Sequence, residues 1–186
     1  PQINIDLMFS LPGQSLSQWE HTLRAALDLQ PDHISTYNLS YEEDTAFFQQ
    51  YGASAGNEET DVAMFTLADE LLTDAGYRHY EISNYARPGC ESLHNLACWH
   101  GEDYCGLGPG AVGTMGGIRY ANAGDTAAYT AALQAGKLPP GDTEQLDPAT
   151  RRTELLGLLL RTDEGLPPRF LRPDDAGTLS MLQAEG

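Results

Sequence analysis

The sequence has 186 residues, with 10 Lys and Arg against 27 Asp and Glu and a net charge of −17. That charge repels phosphate backbones, and the nearest thing to a basic cluster is the pair Arg151-Arg152, so nucleic-acid binding is excluded as a role. A hydrophobic content of 41% supplies a folded core, but the longest apolar run, Leu155 to Leu160 with Gly157 inside it, falls far short of a membrane span.

Three cysteines are too few, and odd in number, for a disulfide framework. With no basic-then-apolar leader at the start, the expectation is a soluble, cytoplasmic protein. Gln2 to Phe9 has the alternating, β-branched character of a strand directly after Pro1, which points to a piece of a longer protein. Pro12-Gly13 ends the strand with a turn. Ser17 and Glu20 have capping-box spacing before Trp19, Leu23, Ala26 and Leu27, which recur at helical intervals. Pro31-Asp32 ends that helix, and His33 to Leu39 reads as a second strand, parallel to the first through a right-handed crossover. Val62, Phe65, Ala68, Leu72 and Ala75 mark a further helix, with Gly76 as its cap and Tyr77 to Ile82 as the next strand. Residues 1–83 therefore read as consecutive β/α units, and the fold class is α/β.

Beyond Ser83 the texture changes. Residues 84–124 hold nine Gly, two Pro and all three Cys without clean periodicity, so an irregular, functional segment is expected. Helical signals return at Asp125–Ala135. Leu138–Gln145 reads as a linker, and Asp147-Pro148 opens a helix through Leu160. The sequence thus divides into 1–137, a linker at 138–146, and a small helical module at 147–186 that is cut short.

Gly108-Pro-Gly-Ala-Val-Gly113 satisfies GxGxxG literally, but neither Glu102-Asp-Tyr-Cys-Gly before it nor Thr114-Met-Gly-Gly after it offers the strand and helix that dinucleotide binding demands. A tight turn with close backbone approach is the plainer reading. GxxxxGK[ST], HExxH and GxSxG are absent, which removes the usual support for P-loop, zincin and serine-hydrolase chemistry. Cys90, His94, Cys98, His100 and Cys105 are potential metal ligands. Their gaps of three, three, one and four residues match no common zinc finger, and buried cysteine is the ordinary alternative. His94-Asn95 and Trp99 share the same segment, where an imidazole beside a flat apolar wall is a pattern that suits porphyrin iron.

Several ordered segments together resemble one family: Asp6-Leu-Met-Phe-Ser-Leu-Pro-Gly-Gln14, Pro31-Asp-His-Ile-Ser35, Tyr80-Glu-Ile-Ser-Asn-Tyr-Ala-Arg-Pro-Gly89, His94-Asn95 with Trp99, and Tyr104-Cys-Gly-Leu-Gly-Pro-Gly-Ala111. They are similar to the HemW-type radical S-adenosylmethionine (SAM) haem chaperones, relatives of oxygen-independent coproporphyrinogen III oxidase. The resemblance implies a partial (β/α) barrel, of which residues 1–83 supply the later strands. It implies a [4Fe-4S] cluster held by a CxxxCxxC that this sequence does not contain, and SAM and haem as further cofactors of the intact protein.

In relatives the Asp matching Asp6 contacts SAM, and Ser40 falls where a second SAM contact lies. The family's HNxxYW pattern is associated with haem. Here it is matched by His94, Asn95 and Trp99, with Cys98 in place of Tyr. His94 is then the candidate iron ligand, Trp99 a packing surface, Asn95 a hydrogen-bonder that fixes the loop, and Cys98 a thiolate able to alter ligation. Ser10 is a second departure, because relatives usually carry Gly there. The implied function is binding haem and delivering it to respiratory haem proteins. Oxidative decarboxylation of porphyrinogen propionates is the enzymatic alternative, and a structural zinc module the third. Removing barrel strands exposes a sheet edge, so this chain is expected to self-associate.

Overall fold

A computed structural model describes residues 2–52 and 57–185; Pro1 and Gly186, the ends of the domain bounds drawn from the sequence, lie outside them. The backbone forms two compact units, Pro1–Glu91 and Ser92–Gly186.

The first unit opens with β1 (Asn4–Phe9), α1 (Leu16–Asp28) and β2 (His33–Asn38). The strands β1 and β2 pair in parallel, Asn4 opposite His33 and Asp6 opposite Ser35, as the strand–helix–strand order requires. The cap of α1 differs from the sequence expectation. Ser15, not Ser17, accepts from the Gln18 amide and Gln18 closes a capping box, because the chain leaves the Pro12-Gly13 turn and becomes helical two residues earlier. After the short α2 (Ala46–Tyr51), α3 runs Glu58–Asp74, capped by Asn57, with Glu58, Glu59 and Asp61 in the first turn where the helix dipole favours carboxylates. Gly76 follows α3 with φ +86° and leads into β3 (Arg78–Glu81).

A three-residue strand that the sequence did not announce, β4 (Asn84–Ala86), folds back antiparallel against both β2 and β3. The sheet order is therefore β1-β2-β4-β3. One face of this sheet carries the core: Phe9, Ile34 and Tyr85 pack with Trp19 and Leu23 of α1 and with Met64, Ala68 and Leu72 of α3. The Phe, Leu, Ile and Met side chains among them are each worth roughly 1.5–3 kcal/mol when fully buried. The opposite face carries the polar side chains Asn4, Asp6, His33 and Ser35, with Met8 and Ala86 among them.

The second unit begins with α4 (Leu93–Trp99), followed by an antiparallel sheet of β5 (Val112–Met115), β6 (Ile118–Asn122) and β7 (Gly141–Gln145), with α5 (Thr126–Gln134) between β6 and β7. The 84–124 segment is thus not structureless. Its β5–β6 hairpin closes on Gly116 and Gly117, both at positive φ, which a two-residue hairpin turn requires. Nor is 138–146 a linker throughout. Gly141–Gln145 pairs with β6, and at Gly141 a Cβ would collide with the Ala121 carbonyl oxygen, so the glycine permits that pairing. Pairing with a formed hairpin outweighs the strand's poor composition.

The helix α6 (Pro148–Leu159), capped by Asp147, ties this unit together. Arg151 donates to the Gly101 carbonyl after α4. Arg119 of β6 forms a two-pronged ion pair with Glu154, both contacts at 2.8 Å, and Arg152 reaches Asp175 at 2.6 Å. Short 3-10 turns at Pro168–Phe170 and Pro173–Asp175 precede α7 (Ala176–Glu185).

Candidate functional site

In the first unit, the paired residues Asn4/His33 and Asp6/Ser35 share the face opposite the helices. Asp6 lies in mid-strand, exposed, and accepts from Asn4 Nδ2 at 2.8 Å through Oδ1. Asn4 Oδ1 lies 2.7 Å from His33 Nδ1 and 3.4 Å from Ser35 Oγ, while His33 Nε2 lies 2.7 Å from Tyr80 Oη. Burial lowers the pKa of His33, against the opposing pull of the Asp6 and Glu91 carboxylates. Ser40 is exposed just past β2, and the Leu39 amide bonds the Phe9 carbonyl, so Ser40 stands at the end where both parallel strands finish. Ligands of parallel sheets bind at that end.

In the second unit, His94, Asn95, Cys98 and Trp99 stand on the two-turn helix α4, not in a loop. Ser92 caps it, accepting from the Asn95 amide at 3.3 Å. It is thus the backbone of Asn95 that carries this hydrogen bond. Helical spacing sets His94 and Cys98 on one stripe and Asn95 and Trp99 on the neighbouring one. The exposed His94 imidazole places Nε2 3.9 Å from Cys98 Sγ.

The other proposed ligands disperse. Cys105 accepts from Tyr120 Oη at 3.3 Å, and His100 Nε2 contacts Glu164 at 3.2 Å. Among the described residues no three His, Cys, Asp or Glu come together as a metal group, so the zinc module finds no support. Gly108–Gly113 runs into β5 rather than a helix. The Gly108 backbone is held by the Tyr129 and Asn122 side chains, and that of Gly106 just before it by Tyr120 and Asn122, in keeping with a tight turn rather than a dinucleotide site. Beside it lies a cavity of about 470 Å³ that the sequence did not flag, with Leu107, Met115, Ile118, Leu133 and Leu138 in its wall. Its volume suits a small-molecule site.

No family model matches the chain. It is 36% identical to the haem chaperone HemW of Bacillus subtilis over 167 residues, which is 88% of this chain and 44% of that protein. It is 36% identical to HemW of Mycobacterium tuberculosis over 187 residues, 99% of this chain and 48% of the relative. A Danio rerio protein named radical S-adenosyl methionine domain-containing protein 1, mitochondrial, is 40% identical over 115 residues, 60% of this chain and 26% of its own length. The chain belongs to the HemW-type radical SAM family.

The fold agrees. The solved structure of coproporphyrinogen III oxidase (HemN) from Escherichia coli, a radical SAM enzyme, matches 86% of this chain and 40% of its own with a TM-score of 0.68 at 20% identity. The chain spans about half the length of the HemW relatives from Bacillus and Mycobacterium. Among the described residues, no helix is long and apolar enough to cross a membrane.

The residues present fit what a radical SAM haem protein needs at two places. Asp6 presents a carboxylate with one oxygen engaged by Asn4 on a largely polar sheet face. The α4 helix offers an accessible imidazole and a thiol, both competent toward iron. His94 and Cys98 rise from one stripe of the helix, with Nε2 and Sγ side by side.

Proposed function

We propose that this chain forms part of a haem chaperone that binds haem through α4 and delivers it to respiratory haem proteins in the cytoplasm. The intact protein would also hold a [4Fe-4S] cluster and SAM. The observation that carries this reading is the exposed His94 imidazole, held on a capped helix as part of the pattern His94, Asn95 and Trp99. His94 is assigned to the iron, Trp99 to packing against the macrocycle, and Cys98 to a thiol that competes for or modulates ligation. The apolar cavity of the same unit adds a surface suited to a flat, apolar ring. Asp6 and Ser40 are assigned to SAM, the carboxylate accepting hydrogen bonds from ribose hydroxyls or the ammonium group. SAM and the cluster together would supply radical chemistry to the intact protein.

Coproporphyrinogen III oxidase activity is the second reading, favoured by the shared fold with HemN. The test is transfer. Haem-loaded intact protein mixed with a haem-free respiratory haem protein should deliver its haem. Decarboxylation of coproporphyrinogen III without haem delivery would establish the oxidase instead.

A further inference from the structure

Four side chains on the polar sheet face form one continuous line of hydrogen bonds: Tyr80 of β3 to His33 of β2, His33 to Asn4 of β1, and Asn4 to Asp6 on the same strand. Ala86 of β4, the pairing partner of both His33 and Arg78, puts a small side chain between β2 and β3, and Tyr80 lies within 2.7 Å of the imidazole. His33, Tyr80 and Ser35 are buried, at 6%, 1% and 2% exposure, whereas Asn4 and Asp6 are open to solvent.

The direction of this line is fixed by chemistry. A carboxylate only accepts, so Asp6 takes the Asn4 amide N–H and orients the carboxamide. The Asn4 oxygen then faces His33 and Ser35, and must accept from both. His33 therefore carries its proton on Nδ1. In the neutral imidazole, the form that burial favours, Nε2 is left to accept the Tyr80 hydroxyl proton. Every member has one role, and reversing any single bond leaves two acceptors facing each other. Among the described residues only Asn4 hydrogen-bonds the Asp6 side chain, through Oδ1, and Asp6 is an exposed residue, so Oδ2 remains for a ligand.

We propose that Tyr80, His33 and Asn4 act as a positioning relay that fixes the Asp6 carboxylate for a ligand bearing hydroxyl or ammonium donors. This rests on the reading that Asp6 receives SAM. The three residues touch no ligand themselves. They hold the accepting oxygen in one orientation, which lowers the ordering cost of binding.

The test has two readouts. The first is the His33 tautomer, from nitrogen-15 NMR of this chain. The second is the affinity of the cluster-loaded intact protein for SAM by calorimetry. The expected tautomer is Nδ1–H. Asn4→Ala should release it toward Nε2–H and weaken SAM about 3- to 10-fold, the size of one lost hydrogen bond. Asn4→Asp should keep Nδ1–H, because an acceptor still faces His33, and still weaken SAM. The circular dichroism of both variants should match the parent, since Asn4 is exposed. An Nε2–H tautomer in the parent, or unchanged affinity in both Asn4 variants while Asp6→Ala abolishes binding, overturns the relay and leaves Asp6 as a ligand contact. Affinity unchanged by Asp6→Ala overturns the reading of Asp6, and the relay's purpose with it.

Discussion

The Trp19 indole N–H donates to the backbone carbonyl of Met64 at 2.9 Å, joining α1 to α3 through two fully buried residues. The same ring lies 5.5 Å from Phe9 of β1, so one side chain connects three elements of the first unit. Trp19→Phe should destabilise the chain by about 1–3 kcal/mol, through the lost hydrogen bond and the space left by the smaller ring. Urea unfolding checks this, and an unchanged midpoint would mean that the interface closes without the indole.

Ser10 sits at φ +60° directly after β1, and its hydroxyl donates to the Asp61 carboxylate of α3. Left-handed backbone costs a non-glycine residue about 1 kcal/mol, and the tether to Asp61 offsets it. Asp61→Ala should therefore cost about 1 kcal/mol more in the parent than in a Ser10→Gly background, where only the favourable placement of its carboxylate in the first turn of α3 is lost. Equal costs in both backgrounds would show that the two side chains are not coupled.

The hydrogen bonds from Arg119 hold the Glu154 carboxyl below its usual 4.5. Its depressed folded value means that the pair's stabilisation is complete above that pH. It is lost as pH falls through the folded value, where the native state must take up a proton. Both side chains are about one-third exposed, so the contribution is no more than about 1 kcal/mol. Comparing the parent with Glu154→Gln in urea from neutral pH to about pH 3 should show the two curves converging as the pH drops. Parallel curves would contradict the assignment.

The strand β1 is an edge of its sheet, and Ile3 and Met8 are 58% and 46% exposed. Unpaired backbone groups beside apolar side chains template association. Light scattering should give a mass above the 20.2 kDa monomer. Met8→Lys, which charges the edge, should shift the mass toward the monomer. A monomer in the parent at high concentration would refute the expectation.

The helices were legible because their apolar spacing is long and regular. Trp19, Leu23 and Ala26 of α1 lie on one buried stripe, whereas in α3 only Ala68 and Leu72 of the stripe read from the sequence are buried. Val62, Phe65 and Ala75 are exposed, and Met64 takes the core place instead. The parallel β1–β2 pair followed from chain order. The strand β4 was hidden because three residues carry no readable period, and its place between β2 and β3 comes from the hairpin it makes. The helix α4 has two turns and no buried residue, so no apolar stripe betrays it. Ser92, three residues before Asn95, was its one local sign. Reading the segment as a loop concealed that His94 and Cys98 are one helical turn apart. The Asp6 relay was illegible for a different reason. Its members are 29 and 47 positions apart and meet only once the strand register is known.

The central claim is that haem binds α4 through His94, and the direct measurement is a hemin titration followed by the Soret band in the parent and in His94→Ala. The account predicts a saturable band in the parent that shifts or vanishes in His94→Ala, and that also shifts in Cys98→Tyr, where the competing thiol is gone. Identical spectra for the parent and His94→Ala, or no saturable band from the folded chain, would contradict it.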